Sequence, residues 1–238
     1  MKINFRDEMR KVFLGDPSAK VVWQPRIEHW FNMNQRRGTL PEQFQNATVY
    51  DVFERLNASI RYLPSWAPVN DVYDSDIRYT CEETPESIIQ TWKTPVGEVR
   101  RVDRKTIDSF LPREYPLKNP DDLRVIEYVI EGTEYKADVD FYISEQTKFA
   151  DWAVPTALVP RVNLMRIFLE FSGFEQGIYF LHDRPEEIRG LVRLIDQADR
   201  RYCRELLKVP AEFINYGDNV HCDMLPPPLL KEYVMPSY

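Results

Sequence analysis

The sequence predicts an α/β fold, and three observations carry that expectation. Amphipathic helical stretches alternate with short apolar runs along the 238 residues, as they do where helices cover buried strands. The run Phe213, Ile214, Tyr216 stops at Gly217 and releases a polar cluster, Asp218, Asn219, His221, Cys222 and Asp223. A strand that delivers carboxylate, amide and imidazole groups at its C-terminal end is how α/β barrels build their sites. Hydrophobic residues are 43% of the chain and aromatics 13%, enough to build a packed core rather than a disordered chain.

The elements follow in order. Phe5 to Leu14 spaces Phe5, Met9, Val12 and Phe13 as a helix does and stops at Gly15-Asp16-Pro17. Lys20 to Pro25 is β-prone and closed by proline, which predicts the first strand. Val49 to Leu56 carries a helical apolar stripe, and Ala58 to Leu63 reads as a second strand. Ser87 to Trp92 and Glu98 to Val102 are β-prone runs joined by Thr94-Pro95-Val96-Gly97, a hairpin signal placed at about 86–104. Asn119-Pro120-Asp121-Asp122 starts a helix to about Glu131, with a capping amide, a proline in the first turn and two acids at the positive end of the dipole. Ala153 to Val159 predicts a core strand. Leu164 to Phe171 and Gln176 to His182 predict helices meeting at Gly173. Arg184 to Lys208 is the clearest helix, with Ile188, Leu191, Val192, Ile195, Tyr202 and Leu206 on one face. It feeds the strand Glu212 to Tyr216, and a last helix begins at Leu229.

Composition narrows the function. The net charge of −7 contains no long block of one sign, which argues against a nucleic-acid partner. No segment reaches the roughly 18 apolar residues of a membrane span, and the N-terminus lacks a signal-peptide core. Cys81, Cys203 and Cys222 form no C-x-x-C pair, so a reducing cytoplasm is expected. Neither glycine-rich phosphate-loop pattern is present.

Four stretches carry a family resemblance: Trp23-Gln24-Pro25-Arg26, Thr94-Pro95-Val96-Gly97, the run Tyr115 to Leu123, and Asp218 to Pro236. On these the chain resembles the uroporphyrinogen decarboxylase superfamily, which includes the decarboxylase and the corrinoid-linked methyltransferases. The resemblance implies a (β/α)8 TIM barrel over 1–238. That barrel would be incomplete at its C-terminal side, carry the hairpin as an insertion, and hold its site at the C-terminal ends of the strands. Family members are longer, so truncation is expected, and an unfinished barrel would expose a strand edge.

The two branches differ in chemistry. The decarboxylase holds a polycarboxylate tetrapyrrole through an R-x-x-x-R arginine pair. Arg26 stands at the first arginine, Trp30 at the second, and His29 at the glycine before it. The decarboxylase's serine beside a histidine becomes Val220 beside His221, and its central aspartate falls near Leu63. Losing a cation where a carboxylate docks removes a charge-assisted contact, so carboxy-lyase chemistry of porphyrin biosynthesis stands second. The 94–97 turn and the 115–123 run look more like the methyltransferase branch. That branch implies methyl transfer between a corrinoid or related donor and a thiol. Its zinc would have ligands beyond residue 238, and a corrinoid protein and a second copy of the chain would be partners. The decarboxylase implies no cofactor. A third expectation is a non-catalytic barrel fragment.

Candidate residues follow from the expected barrel mouth. His29, Asp218 and His221 are the catalytic candidates, since imidazole and carboxylate groups move protons near neutrality. Arg26, Glu28, Trp30 and Asn219 are the substrate-binding candidates, with Arg26 anchoring an anionic group. The plainer alternatives are an Arg26–Glu28 ion pair, solvated rim positions for Glu28 and His29, and a simple turn at Asp218-Asn219. His221 and Cys222 are adjacent and point apart on an extended chain, so no metal site is expected there. His182 reads as a partner of a helix C-terminus.

Overall fold

A computed structural model describes residues 3–60, 67–106, 109–149, 151–154, 156–218 and 220–238. In chain order the elements are helices α1 (Phe5–Phe13), α2 (Glu28–Arg37) and α3 (Val49–Arg55), then strands β1 (Val69–Tyr73), β2 (Arg78–Glu83), β3 (Ser87–Thr94), β4 (Gly97–Lys105) and β5 (Phe110–Glu114). Helix α4 (Pro120–Glu131), strand β6 (Thr133–Ala137), helix α5 (Val139–Phe149) and strand β7 (Thr156–Val159) follow. The chain closes with helices α6 (Asn163–Arg166), α7 (Phe174–Asp183) and α8 (Pro185–Leu206), strand β8 (Phe213–Tyr216) and helix α9 (Pro227–Leu229). No helix of the described residues is long and apolar enough to cross a membrane.

The expected TIM barrel is not formed. The strands make a four-stranded sheet in the order β2-β3-β4-β5 and two-stranded sheets β1-β6 and β7-β8. The pairs β1–β6, β2–β3, β3–β4 and β4–β5 are all antiparallel, whereas a barrel of this kind needs parallel strands joined by helical crossovers. The hairpin expected at 86–104 is β3–β4, but it lies at the centre of an antiparallel sheet and is not an insertion. The strand expected at Lys20 to Pro25 is an extended loop, with Val21 and Trp23 largely exposed and the Trp23 carbonyl accepting from the Ser59 amide at 2.9 Å. Residues 58–60 of the expected second strand are also loop, and the rest of it lies outside the described residues.

The chain divides into two compact units. The first comprises Met1–Pro68, Asp138–Ala157 and Val209–Asn215. There Phe53, Ala58, Ile60, Phe149 and Ala153 form one buried cluster and Phe31, Leu40, Phe44 and Val52 another. Thr48 caps α3 in a capping box with Asp51, which satisfies backbone donors that the first helical turn leaves open.

The second unit comprises Val69–Ala137, Leu158–Lys208 and Tyr216–Tyr238. Its core joins Val99 and Leu117 to apolar faces of α4, α6, α7 and α8, with Leu164, Met165, Ile167, Phe168, Leu191 and Ile195 fully buried. Asn119 caps α4 with Asp122 at the third position, as the sequence predicts. The helix expected over 164–171 begins as α6 and widens into a π-helical turn at Ile167–Phe171. In that turn the Ser172 amide donates to the Ile167 carbonyl five residues back. At the end of this turn the carbonyl of Glu170 accepts from Arg101 at 3.1 Å, and that of Phe171 from the Leu117 amide at 2.8 Å.

Candidate functional site

A cavity of about 310 Å³ lies within the second unit. Alternation along strands decides which side chains reach it, because residues i and i+2 share a face. Asp71 and Tyr73 on β1 line it together with the residues directly opposite on β6, Tyr135 and Thr133. Gln90 and Trp92 on β3 line it with their own opposite partners on β4, Arg101 and Val99. Helix α4 contributes Ile126, Val129 and Ile130, and the α6–π turn region contributes Arg166, Glu170 and Phe171. Tyr202 of α8, Pro116 and Pro160 complete the wall.

The polar groups of this wall are mostly paired, chiefly with groups just outside it. Arg166 is buried, donates to the Arg161 carbonyl at 2.8 and 3.1 Å, and meets Asp199 at 2.6 Å. Burial raises the Asp199 pKa even against that guanidinium. Arg101 holds Asp103, two residues along the same strand, at 2.7 Å. Glu170 is held by Arg161 at 2.9 Å. The Trp92 indole donates to the Tyr73 hydroxyl at 3.2 Å, and the Tyr202 hydroxyl donates to the Leu158 carbonyl at 3.0 Å.

Asp71 differs from these acids. Its hydrogen bond from the Tyr73 hydroxyl is long, at 3.5 Å, and among the described residues no cation reaches it as an ion-pair partner. The residue is exposed, yet the protein around its carboxyl removes enough water to raise its pKa against the pull of Arg166. Tyr73, Tyr135 and Tyr202 are each pushed up to about 12, first by desolvation, and the charge of Asp71 contributes to all three. The Asp71 carboxylate and three phenols therefore converge on the same space.

The residues singled out in the sequence are distributed differently. Arg26, Glu28, His29 and Trp30 belong to the first unit, and Asp218 and His221 to the second. Arg26 precedes α2, which carries Glu28, His29 and Trp30 in its first turn. Arg26 and His29 are exposed, and Trp30 packs edge-on against Phe44 at 6.4 Å. Asp218 accepts from the Val162 amide at 3.1 Å, at the start of α6, and from the Tyr238 hydroxyl at 2.7 Å. Those bonds fasten two segments of the second unit. Asn219 lies outside the described residues. The barrel mouth expected to gather these groups is not formed by the described residues, whose β1–β6, β2–β3, β3–β4 and β4–β5 pairs are antiparallel.

The zinc implied by the family resemblance does not fit the donors this chain describes. His221, Cys222 and Asp223 bring their ligand atoms within 4.8 Å of one another, but all three are exposed. The His221 Nδ1 already accepts from the Asp223 amide at 3.3 Å, a bond that competes with a metal for that nitrogen. A corrinoid macrocycle is larger than the small molecules that fill a cavity of this size.

Sequence reasoning missed Asp71, Tyr73, Trp92, Tyr135, Arg166 and Tyr202 as site residues. The readable signal was the alternation in Val69-Asn70-Asp71-Val72-Tyr73 and Thr133-Glu134-Tyr135, which sets the acid and both tyrosines on one face once the strands pair. No protein-family model matches the chain, and no curated protein or solved structure matches it.

Proposed function

We propose that this chain is a small-molecule enzyme domain whose substrate occupies the cavity of the second unit, with Asp71 as the group that takes or gives a proton. The observation that carries this reading is the Asp71 carboxylate, set without an ion-pair partner among phenol and indole rings in a concave site of ligand size. A raised carboxyl pKa brings the group closer to neutrality, where general acid–base catalysis works best. The cavity's own cations, Arg166 and Arg101, are already engaged by Asp199 and Asp103. They orient the wall and are not available to dock a substrate carboxylate.

Methyl transfer of the kind the family resemblance implies is the second, more specific reading. Two stretches that carry the resemblance border the cavity: the Thr94–Gly97 turn leads into Val99 and Arg101, and the Tyr115–Leu123 run contains Pro116. The charge and size of the cavity favour this branch over decarboxylation. A polycarboxylate tetrapyrrole needs unpaired cations and more room than about 310 Å³. In this reading the chain holds a small methyl-bearing or methyl-accepting molecule, and the methyl donor or acceptor comes to the cavity mouth with a partner.

The test combines two assays on the full chain. Methylcobalamin with 2-mercaptoethanol should give protein-dependent thioether, and Asp71→Asn should slow it by about a hundredfold. Carbon dioxide release from uroporphyrinogen III would replace methyl transfer with decarboxylation. Turnover in either assay that is indifferent to Asp71→Asn would remove the cavity from the chemistry.

A further inference from the structure

We propose that the cavity of the second unit takes a small organic cation, an ammonium or methylated ammonium head, seated against Asp71 and the rings of Tyr73, Trp92, Tyr135 and Tyr202. This rests on the reading that the cavity is the ligand site and narrows it to a substrate class.

The charge around the cavity selects the sign of the ligand. Each cation in the wall has its own carboxylate: Asp199 at 2.6 Å from Arg166 and Asp103 at 2.7 Å from Arg101. The wall acid Glu170 has its own cation, Arg161, at 2.9 Å. Among the described residues, Asp71 has a 3.5 Å contact from the Tyr73 hydroxyl and no ion-pair partner. The protein around the Asp71 carboxyl disfavours its charge although the residue is exposed, and a ligand cation offsets that cost. An anion would have to break an existing pair and would still face Asp71.

The walls select the kind of cation. Aromatic faces attract cations through the ring quadrupole, most strongly where water is excluded. Tyr135 and Tyr202 meet edge to face, with centroids 5.5 Å apart and planes at 76°, a contact that fixes both rings in the wall. Trp92 stacks at a tilt with Tyr79 at 5.2 Å, and Tyr79 with Tyr73 at 5.4 Å. That ladder holds the indole in place. Most of the remaining wall, Val99, Ile126, Val129, Ile130, Pro116 and Phe171, is apolar, with Gln90 and Thr133 as polar members. It suits methyl and methylene groups better than the hydration shell of a metal ion or a bare ammonium.

The pH dependence has a definite sign. The groups facing Asp71 are Tyr73 on its own strand, Tyr79 on β2, Tyr135 on β6, Tyr202 on α8 and Arg166 at the end of α6, with Asp199 behind Arg166. Desolvation pushes the phenols of Tyr73, Tyr135 and Tyr202 up to about 12, so they stay neutral between pH 5 and 8. Affinity for the cation should therefore rise with pH as Asp71 ionises, through a midpoint above its ordinary 3.8.

Calorimetric titration of the full chain with tetramethylammonium chloride, choline chloride and sodium acetate, at matched ionic strength, tests the proposal. Saturable binding of the ammonium salts is expected. Asp71→Asn should weaken it by about tenfold or more and Trp92→Leu by about fivefold. Both variants are to be compared with wild type by thermal melting, and Asp71→Glu should rescue part of the affinity if Asp71→Asn proves unstable. Saturable acetate binding without ammonium binding would overturn the cation inference and leave the cavity as the ligand site. No saturable binding by any of the three would overturn the inference. Asp71→Asn without effect on turnover is the separate result that would overturn the site reading itself.

Discussion

At Glu212 two arginines from one turn of α1 converge on a single carboxylate. Arg6 donates at 2.6 Å and Arg10 makes two bonds, through Nη2 at 2.6 Å and through Nε. Hydrogen bonding from Arg10, then from Arg6, holds the Glu212 carboxyl down to about 2, against an ordinary value of 4.5. A carboxyl depressed in the folded state stabilises above its unfolded pKa and loses that contribution as pH falls toward the folded one. Acid should therefore weaken the first unit between about pH 4.5 and 2. Glu212→Gln should cost about 1–2 kcal/mol at pH 7, after allowing for solvent screening, and lose that acid-dependent step. Urea denaturation at pH 7 and pH 3 reads both effects; an unchanged pH dependence in the variant would remove Glu212 as its source. Asp71 has the opposite sign. Its folded pKa is raised, so ionisation on raising the pH destabilises the fold, and the same ionisation creates the charge that a ligand can use. Asp218 shows why a polar residue after a strand is weak evidence for catalysis. Its oxygens are occupied by the Val162 amide and the Tyr238 hydroxyl, both structural contacts.

Among the elements, α4 and the β3–β4 hairpin were the most legible, because their ends are specified by local chemistry. Asn119 accepts from the amides of Asp121 and Asp122 at 2.9 and 3.3 Å, and the Asp122 carboxylate accepts from the Asn119 amide at 3.0 Å. Asn119→Ala should cost about 1 kcal/mol. Gly97 is bound more tightly to its position. Its φ is 146°, and an added Cβ would stand 2.8 Å from Val125 Cγ2 on α4. Gly97→Ala should thus cost more than Asn119→Ala, about 1–3 kcal/mol, through backbone strain and overpacking. Thermal or chemical melting of the two variants side by side checks the order, and equal costs would mean that the hairpin shifts freely on α4. The π turn at Ile167–Phe171 was not legible. Its apolar residues fit a regular helix equally well, and the wider turn is favoured by bonds from Arg101 and Leu117, remote in sequence.

Over the whole molecule, the alternation of helices and strands led to the wrong sheet. A parallel barrel and a set of small antiparallel sheets draw on similar apolar runs, and the direction of pairing is a long-range property. Infrared spectra of the amide I band should show the split, high-frequency component of antiparallel sheet; a spectrum without it would contradict the strand pairing described here. The β1–β6 pair shows the difficulty at its sharpest. Val69–Tyr73 and Thr133–Ala137 are each only five residues long and mix apolar, acidic and aromatic side chains. Neither stands out alone. Paired, they set Asp71 opposite Tyr135 and Tyr73 opposite Thr133, and a ligand-sized space acquires its carboxylate.

The amino-acid sequence by itself determined the ends of α1, α3, α4 and α8 to within a residue or two, because caps, prolines and apolar stripes act within one or two turns of chain. It also determined the β3–β4 turn, since Gly97 meets a backbone requirement that few other residues can. Tertiary structure alone decided which strands pair, and so which side chains share a wall. Asp71, Trp92, Arg166 and Tyr202 lie far apart along the chain, and only packing in three dimensions brings a lone carboxylate against those rings.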